Sequence, residues 1–242
     1  MSDQLEGGAA GGEDRDEGRI PSMVTARYDG SVVVGGAAQT REAGGLRITK
    51  VAVGDYDNNC YLLGDTATGE QLLIDAAAEA GTLLALTGDA LQQVVTTHRH
   101  GDHWQALAAV VEATGARTLA GVNDLAAIGV DTDVPLDDHD EVTVGHRRLR
   151  VREVVGHTPG AVVLLWEPAD GPPHLFTGDC LFPGGPGNTF GDSAAFVQLM
   201  DHLEERVFGP LPDTTWVYPG HGADTTLGAE RPHLAEWRAR GW

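Results

Sequence analysis

Apolar residues in this 242-residue chain gather in short runs rich in Val, Leu and Ile, and the runs end in Gly, Asp or Thr. Runs of that kind read as strands, and the Ala- and Leu-rich windows between them read as helices. The pattern predicts strands at 46–53, 61–64, 71–74, 94–97, 117–120, 148–155, 162–166, 175–177 and 215–218. It predicts helices at 82–86, 104–114, 124–128, 193–207 and 228–238. Strand runs broken by helices imply an α/β protein in which sheets pack together with helices outside them. No internal repeat is visible.

Residues 1–22 depart from this pattern. They run through Gly7-Gly8-Ala9-Ala10-Gly11-Gly12 and Glu13-Asp14-Arg15-Asp16-Glu17 with almost no large apolar side chain. Such a segment cannot repay the entropy of ordering, so a disordered acidic, Gly-rich tail is expected ahead of one domain spanning 23–242. Met23 is either a start of translation or the point where order begins. With 41% hydrophobic residues the remainder can bury a substantial core.

Charge narrows the partners. A formal net charge of −20 provides no basic patch for a phosphate backbone, which argues against nucleic acid. No run approaches the length of an apolar membrane helix, and the N-terminus lacks the basic-then-apolar order of a signal peptide, so a soluble, cytoplasmic protein without a membrane partner is expected. Cys60 and Cys180 are too few and too far apart for a disulfide framework, and both are expected to stay reduced.

The chemistry concentrates in Thr97-His98-Arg99-His100-Gly101-Asp102-His103, which places four possible metal ligands within six residues. In an extended segment His98 and His100 project to one side and can grip one ion. Gly101 then permits a turn that swings Asp102 and His103 toward a second. Three later segments each add one ligand type: Gly156-His157-Thr158-Pro159-Gly160, Thr177-Gly178-Asp179-Cys180 and Pro219-Gly220-His221-Gly222. Taken singly, His157 reads as structural, Asp179 as a turn residue, and His221 as either ligand or loop. As a set they form an inventory suited to borderline divalent metals, each group following a strand, where rigid scaffolds carry catalytic residues.

These residues resemble the metallo-β-lactamase superfamily, whose HxHxDH motif is matched at His98, His100, Asp102 and His103, and the likeness runs from Leu46 onward. The resemblance implies an αββα sandwich, a single domain, with a dimetal site at one edge of the two sheets. Phe176-Thr177-Gly178-Asp179-Cys180-Leu181-Phe182 and the Gly-rich loop through Asn188 are most similar to the glyoxalase II branch, which hydrolyses hydroxyacyl thioesters of glutathione. Carried over position by position, His98, His100 and His157 hold one ion and Asp102, His103 and His221 the other. Asp179 bridges them, with Asp102 and Asp179 as the catalytic carboxylates. The implied cofactor is a pair of divalent ions, zinc first, with iron or manganese compatible with the same donors. Two such ions outweigh two carboxylates, so positive charge remains for an anion that develops during hydrolysis. A thiolate, with a thiol pKa of about 8.5, leaves readily without a dedicated general acid.

The family's glutathione-specific members hold the carrier with a Lys and two Tyr. Asn188, Phe190 and Ala223 stand at those positions here, and the C-terminal helical extension is reduced to a tail ending Trp237-Arg238-Ala239-Arg240-Gly241-Trp242. The expected substrate is therefore a small hydroxyacyl thioester of another thiol, contacted at Asn188 and Phe190. A lactonase would use the same seven ligands. A mononuclear iron persulfide dioxygenase is the other alternative, although the Gly-Arg-Thr-Asp-Phe element of those enzymes is replaced by Gly187-Asn188-Thr189-Phe190. Arg99 and Trp104 are placed outside the site, Cys180 reads as a core thiol, and His139, His146, His174, His202 and His233 are expected at the surface.

Overall fold

The apolar runs assemble into two facing sheets in a computed structural model that describes residues 28–241. The tail expected at 1–22 lies outside the described residues. The first sheet runs through β1 (Gln39–Ala43), β2 (Leu46–Val53), β3 (Asn58–Asp65), β4 (Gln71–Ile74), β5 (Leu91–Thr96), β6 (Arg117–Gly121) and β7 (Val134–Leu136) in spatial order. Its first four strands are antiparallel and β4 to β7 are parallel. Helices α1 (Ala80–Thr87) and α2 (Leu107–Thr114) make the parallel crossovers β4–β5 and β5–β6.

The second sheet is built from β8 (Glu141–Val144), β9 (Arg147–Glu153), β10 (Val162–Trp166) and β11 (His174–Gly178). A small ribbon of β12 (Leu181–Phe182) and β13 (Gly185–Pro186) follows, then helix α3 (Ser193–His202), which continues into a π-type turn at Leu203–Phe208. β14 (Trp216–Pro219) returns parallel to β11, and β15 (Thr225–Thr226) closes the edge before α4 (Leu227–Glu230) and α5 (Leu234–Arg240).

Period-two alternation explains why the sheets stack with helices on both sides. Leu72 and Ile74 of β4 and Val162 and Leu164 of β10 face the layer between the sheets, packing with Ile48, Leu63, Phe176 and Tyr218. Leu73, from the same strand, turns outward beneath Leu83 of α1 and Val110 of α2. Val163 and Leu165 turn the other way, beneath Phe196 and Leu199 of α3 and Trp237 of α5. The result is the αββα sandwich, one domain with three apolar layers.

β2, β4 and β10 begin and end where the hydrophobic pattern places them, and the other predicted strands shift by one to three residues. β1 reads Gln-Thr-Arg-Glu-Ala and is an edge strand, so its polar composition concealed it. The helix predicted at 104–114 begins at Leu107, because Gly101–His103 forms a 3-10 turn first. The helix predicted at 124–128 is likewise only a 3-10 turn, Leu125–Ala127. His174 corrects the surface expectation. It is fully buried in β11, stacked on Tyr218 and hydrogen-bonded to its hydroxyl at 2.7 Å.

Candidate metal centre

Strand polarity collects the site. β4, β5, β6, β11 and β14 all end at one rim of the sandwich, and the loops that leave them carry Asp75, His98 to His103, Asp124, Asp179 and His221. The turn from β9 to β10 adds His157. This rim is where open parallel sheets place their ligands, since the chain must leave each strand there to cross over.

All seven sequence-derived residues come together. Their donor atoms form three overlapping groups, His98/His100/His157, His98/His103/Asp179 and Asp102/His103/His221, with each group's atoms within 4.8 Å of one another. In the first group His98 Nε2 lies 3.0 Å from His100 Nδ1 and 3.3 Å from His157 Nε2, and the last two atoms are 2.9 Å apart. His103 Nε2 and His221 Nε2 are 3.3 Å apart. Asp179 spans both sides: Oδ1 is 3.3 Å from His103 Nε2, and Oδ2 is 3.7 Å from His157 Nε2 and 3.5 Å from His221 Nε2. Asp102 Oδ2 sits 3.5 Å from His221 Nε2.

The outer nitrogens decide which tautomer faces inward. His157 Nδ1 and His221 Nδ1 donate to the carbonyls of Asn188 and Tyr56, each at 2.8 Å, so in the neutral rings both Nε2 atoms are bare. Thr97 donates its hydroxyl hydrogen to Asp75 Oδ2, so Thr97 Oγ1 must accept from His98 Nδ1 at 3.1 Å, which leaves His98 Nε2 bare as well. His103 Nδ1 donates to Asp75 Oδ2 at 2.8 Å. Bare nitrogens about 3 Å apart repel unless a positive charge lies among them. Nitrogens bound at 2.0–2.1 Å to one tetrahedral ion stand roughly 3.3 Å apart, which fits these spacings. Asp179 Oδ1, buried and without a hydrogen-bond partner, adds an acceptor that a cation would satisfy. The donor set therefore fits divalent metal.

The charges agree. Burial opposes the Asp179 carboxylate, yet His103, His221 and His98 overcome it and hold its pKa well below the ordinary value. Burial, with His103 nearby, pushes His98 well below the usual histidine range, and burial lowers His157 also. For His103 burial is outweighed by Asp75 and Asp179, which raise its pKa. Gly220 leaves room for this packing, since a Cβ there would collide with Asp179 Oδ1 and His103.

Three residues that sequence reasoning missed hold the ligands in place. Asp75, at the end of β4, accepts from the Thr97 backbone and hydroxyl and from His103. Asp124, at the end of β6, accepts from Arg99 N, Thr158 Oγ1 and Gly160 N, so a single buried carboxylate ties the His98 loop to the His157 loop. Asn58 donates to Asp102 Oδ2 at 3.0 Å. Each follows or begins an apolar strand, but nothing local marks it as a partner of residues far along the chain. Lys50, the chain's only lysine, is fully buried and gives its ammonium to Gly30 O, Gly222 O and Asp224 Oδ1. Asn59 and Tyr61 grip Pro219 O, and Asn59 also grips Gly222 O, so the His221 loop is held from β2 and β3.

A cavity of about 360 Å³ opens beside His157. Phe190 lines it, 70% exposed at a positive φ of 55°, with its ring 5.6 Å from His100 and 6.0 Å from His157. Asn188 turns its side chain to the Phe190 backbone and its carbonyl to His157. Arg99, placed outside the site by the sequence reading, forms part of this cavity wall. Trp104 is packed against the core and donates to Arg99 O. Cys180 is a buried thiol donating to Val154 O. A larger cavity, about 570 Å³, lies among Asp138, Arg150, Arg152 and Arg206 and touches no cluster residue.

Residues 53–221 match the metallo-beta-lactamase superfamily, and the chain belongs to that family. The expected likeness to glyoxalase II also holds. The chain is 39% identical over 172 residues to a hydroxyacylglutathione hydrolase of Anaeromyxobacter dehalogenans, a match covering 68% of this chain and 61% of that protein. Among solved structures, ETHE1 from Myxococcus xanthus is 30% identical with a TM-score of 0.68, covering 79% of this chain and 84% of that one. TTHA1623 in a di-iron-bound form is 30% identical with a TM-score of 0.61, covering 75% and 96%.

Proposed function

We propose that the protein is a dinuclear metal-dependent thioester hydrolase that acts on a small hydroxyacyl thioester. The observation that carries this reading is the way every cluster histidine is used. Each turns a nitrogen to the shared centre, and all but His100 anchor the other nitrogen to a carbonyl, a hydroxyl or Asp75, so the histidines are arranged as ligands rather than as proton donors. Such a site suits a substrate whose leaving group departs as a stable anion, and a thiolate does so near neutral pH. Relatives named hydroxyacylglutathione hydrolase support the same reaction class.

His98, His100 and His157 would hold one ion, Asp102, His103 and His221 the second, and Asp179 both. Bound there, two divalent ions would supply Lewis acidity and activate water at neutral pH. The chain's own residues do the rest. Asp75 fixes the His103 ring, Asp124 ties the His98 and His157 loops together, Asn58 orients Asp102, and Phe190 shields the side of the centre facing the cavity. The carrier thiol would lie in that cavity, and Asn188, Phe190 and Ala223, standing where glutathione-specific members have a cation and two phenols, support a carrier other than glutathione. Zinc is the first candidate metal. The two free cysteines fit a cytoplasmic setting, and no helix among the described residues is long and apolar enough to cross a membrane.

The test is to purify the protein, count metals per chain, and measure hydrolysis across thioesters and lactones. Two ions per chain with thioesters as the best substrates is the expected result. Full activity with one ion, or lactones far ahead of thioesters, would overturn it.

A further inference from the structure

Arg99 occupies the variable position between two ligands, and its guanidinium has a long ion pair with Asp124 at 3.9 Å, beyond hydrogen-bond distance. Its backbone is held on both sides: N donates to Asp124 Oδ2 at 3.0 Å, and O accepts from Trp104 Nε1 at 3.0 Å. With its backbone held in this way, the residue keeps a fixed starting point while its side chain, 40% exposed, reaches the cavity wall beside His157, Thr158 and Pro159. The nearest carboxylate oxygen, Asp124 Oδ1, is 3.9 Å from Nε and already accepts Gly160 N. Asp124 Oδ2 is occupied by Arg99 N and Thr158 Oγ1. The fork of guanidinium N–H groups is therefore available to a ligand, and that fork matches a carboxylate in two parallel hydrogen bonds.

The opposite wall is α3, where Asp192, Ala195 and Gln198 recur every three residues on one face. The Asp192 carboxylate accepts from Ala194 N and Ala195 N through Oδ1 as the helix cap, and the ion pair of Arg99 is with Asp124, not with Asp192. A chain of net charge −20 repels an anionic ligand from most directions, so a carboxylate entering this cavity needs a local cation. The other large cavity, lined by Arg150, Arg152 and Arg206, lies away from the metal centre, so its cations cannot serve a substrate held there.

We propose that Arg99 is the specificity residue that recognises a carboxylate on the carrier-thiol end of the substrate, in the cavity between the His157 loop and α3; this rests on the thioester reading above. The acyl group would face the metal centre and the carrier would lie outward along Phe190, with its carboxylate on Arg99.

Three lactoyl thioesters that share a two-carbon thiol unit and differ in the charge of its terminal group test this in the metal-loaded protein, each variant being compared with wild type on the same substrate: those of 3-mercaptopropionate, 2-mercaptoethanol and thiocholine. The wild type should favour the carboxylate carrier over thiocholine by at least tenfold in kcat/KM. Arg99→Gln should shrink that ratio at least tenfold, with the loss in KM, and Arg99→Glu should reverse the order. Ratios within twofold of wild type in both variants would overturn the proposal, because a residue that only props up the loop would change all three substrates alike. If the wild type turns over no thioester, the hydrolase reading fails separately. Binding of 3-(methylthio)propionate then decides for Arg99: a tenfold weaker Kd in Arg99→Gln supports it, and an unchanged Kd rejects it.

Discussion

The two halves of the metal centre are built differently. His98, His100 and His157 stand on two loops joined by one buried carboxylate, Asp124, and His98 and His157 are almost wholly shielded from water. Asp102 and His221 in the other half are about a quarter exposed, at 25% and 26%. Their positions depend on a net of contacts from Asn58, Asn59, Tyr61 and Lys50, more than a hundred residues from His221 along the chain. Two of the three ligands are buried in the first half and one, His103, in the second, and the second is assembled over longer range and is the more open to solvent. Ligand affinity depends on the partners that orient the ligands as well as on the ligands themselves. The open half should therefore release its ion first, and a chelator titration followed by metal analysis should show two steps.

Removing the residue shared by both halves should erase the difference. Asp179→Ala is expected to lower the loading of both ions together and to reduce turnover by roughly a thousandfold, within the range that loss of one key electrostatic group costs an active site. Retention of two ions and near-normal turnover would show that Asp179 does not bridge. His221→Ala should act on one half only, leaving about one ion per chain. If the remaining ion proves to be the one held through His221's neighbours Asp102 and His103, the assignment of halves is wrong.

Positioning residues should separate the halves more gently. Lys50→Met leaves Asp224 buried without its cation, and breaking a buried pair in this way costs about 3 to 5 kcal/mol. The Gly222 carbonyl also loses its donor, so the chelator step of the His221 half should move to lower chelator concentration, with the other step in place. Asp124→Ala should do the reverse, loosening the His98/His157 half, with about 1 to 3 kcal/mol lost for each buried donor left unpaired. Equal movement of both steps in either variant would show that the halves behave as one unit.

The smallest expected effect is a control outside both halves. Burial, reinforced by Arg41, draws the pKa of His174 from 6.5 down to about 4. Between those values the unfolded chain binds a proton that the folded chain refuses, so this contribution to stability is present above pH 6.5 and lost as the pH falls toward 4. In metal-free protein His174→Phe should flatten the decline of Tm across that window. An unchanged slope would place the acid sensitivity in the cluster histidines instead.

The ligand inventory was legible because each member carries its own local mark. Four ligands sit within six residues, and His157, Asp179 and His221 each follow a strand ending in a Gly-containing turn. β10, and β4 after Gln71, were legible because strands buried on both faces read as unbroken apolar runs, and β2 because its first half alternates apolar with polar before an apolar end. Asp75, Asp124, Lys50 and Arg99 were not. An aspartate after a strand looks the same whether it faces water or accepts three buried hydrogen bonds, and a buried lysine shows no pattern until the strand beside it is known. Sequence by itself determined which atoms could bind metal and that they lie at strand ends. Only the tertiary structure decided which nitrogens face inward, which half is open, and that Arg99 borders a cavity, because hydrogen bonds and burial link residues whose separation along the chain has no bearing on their distance in space.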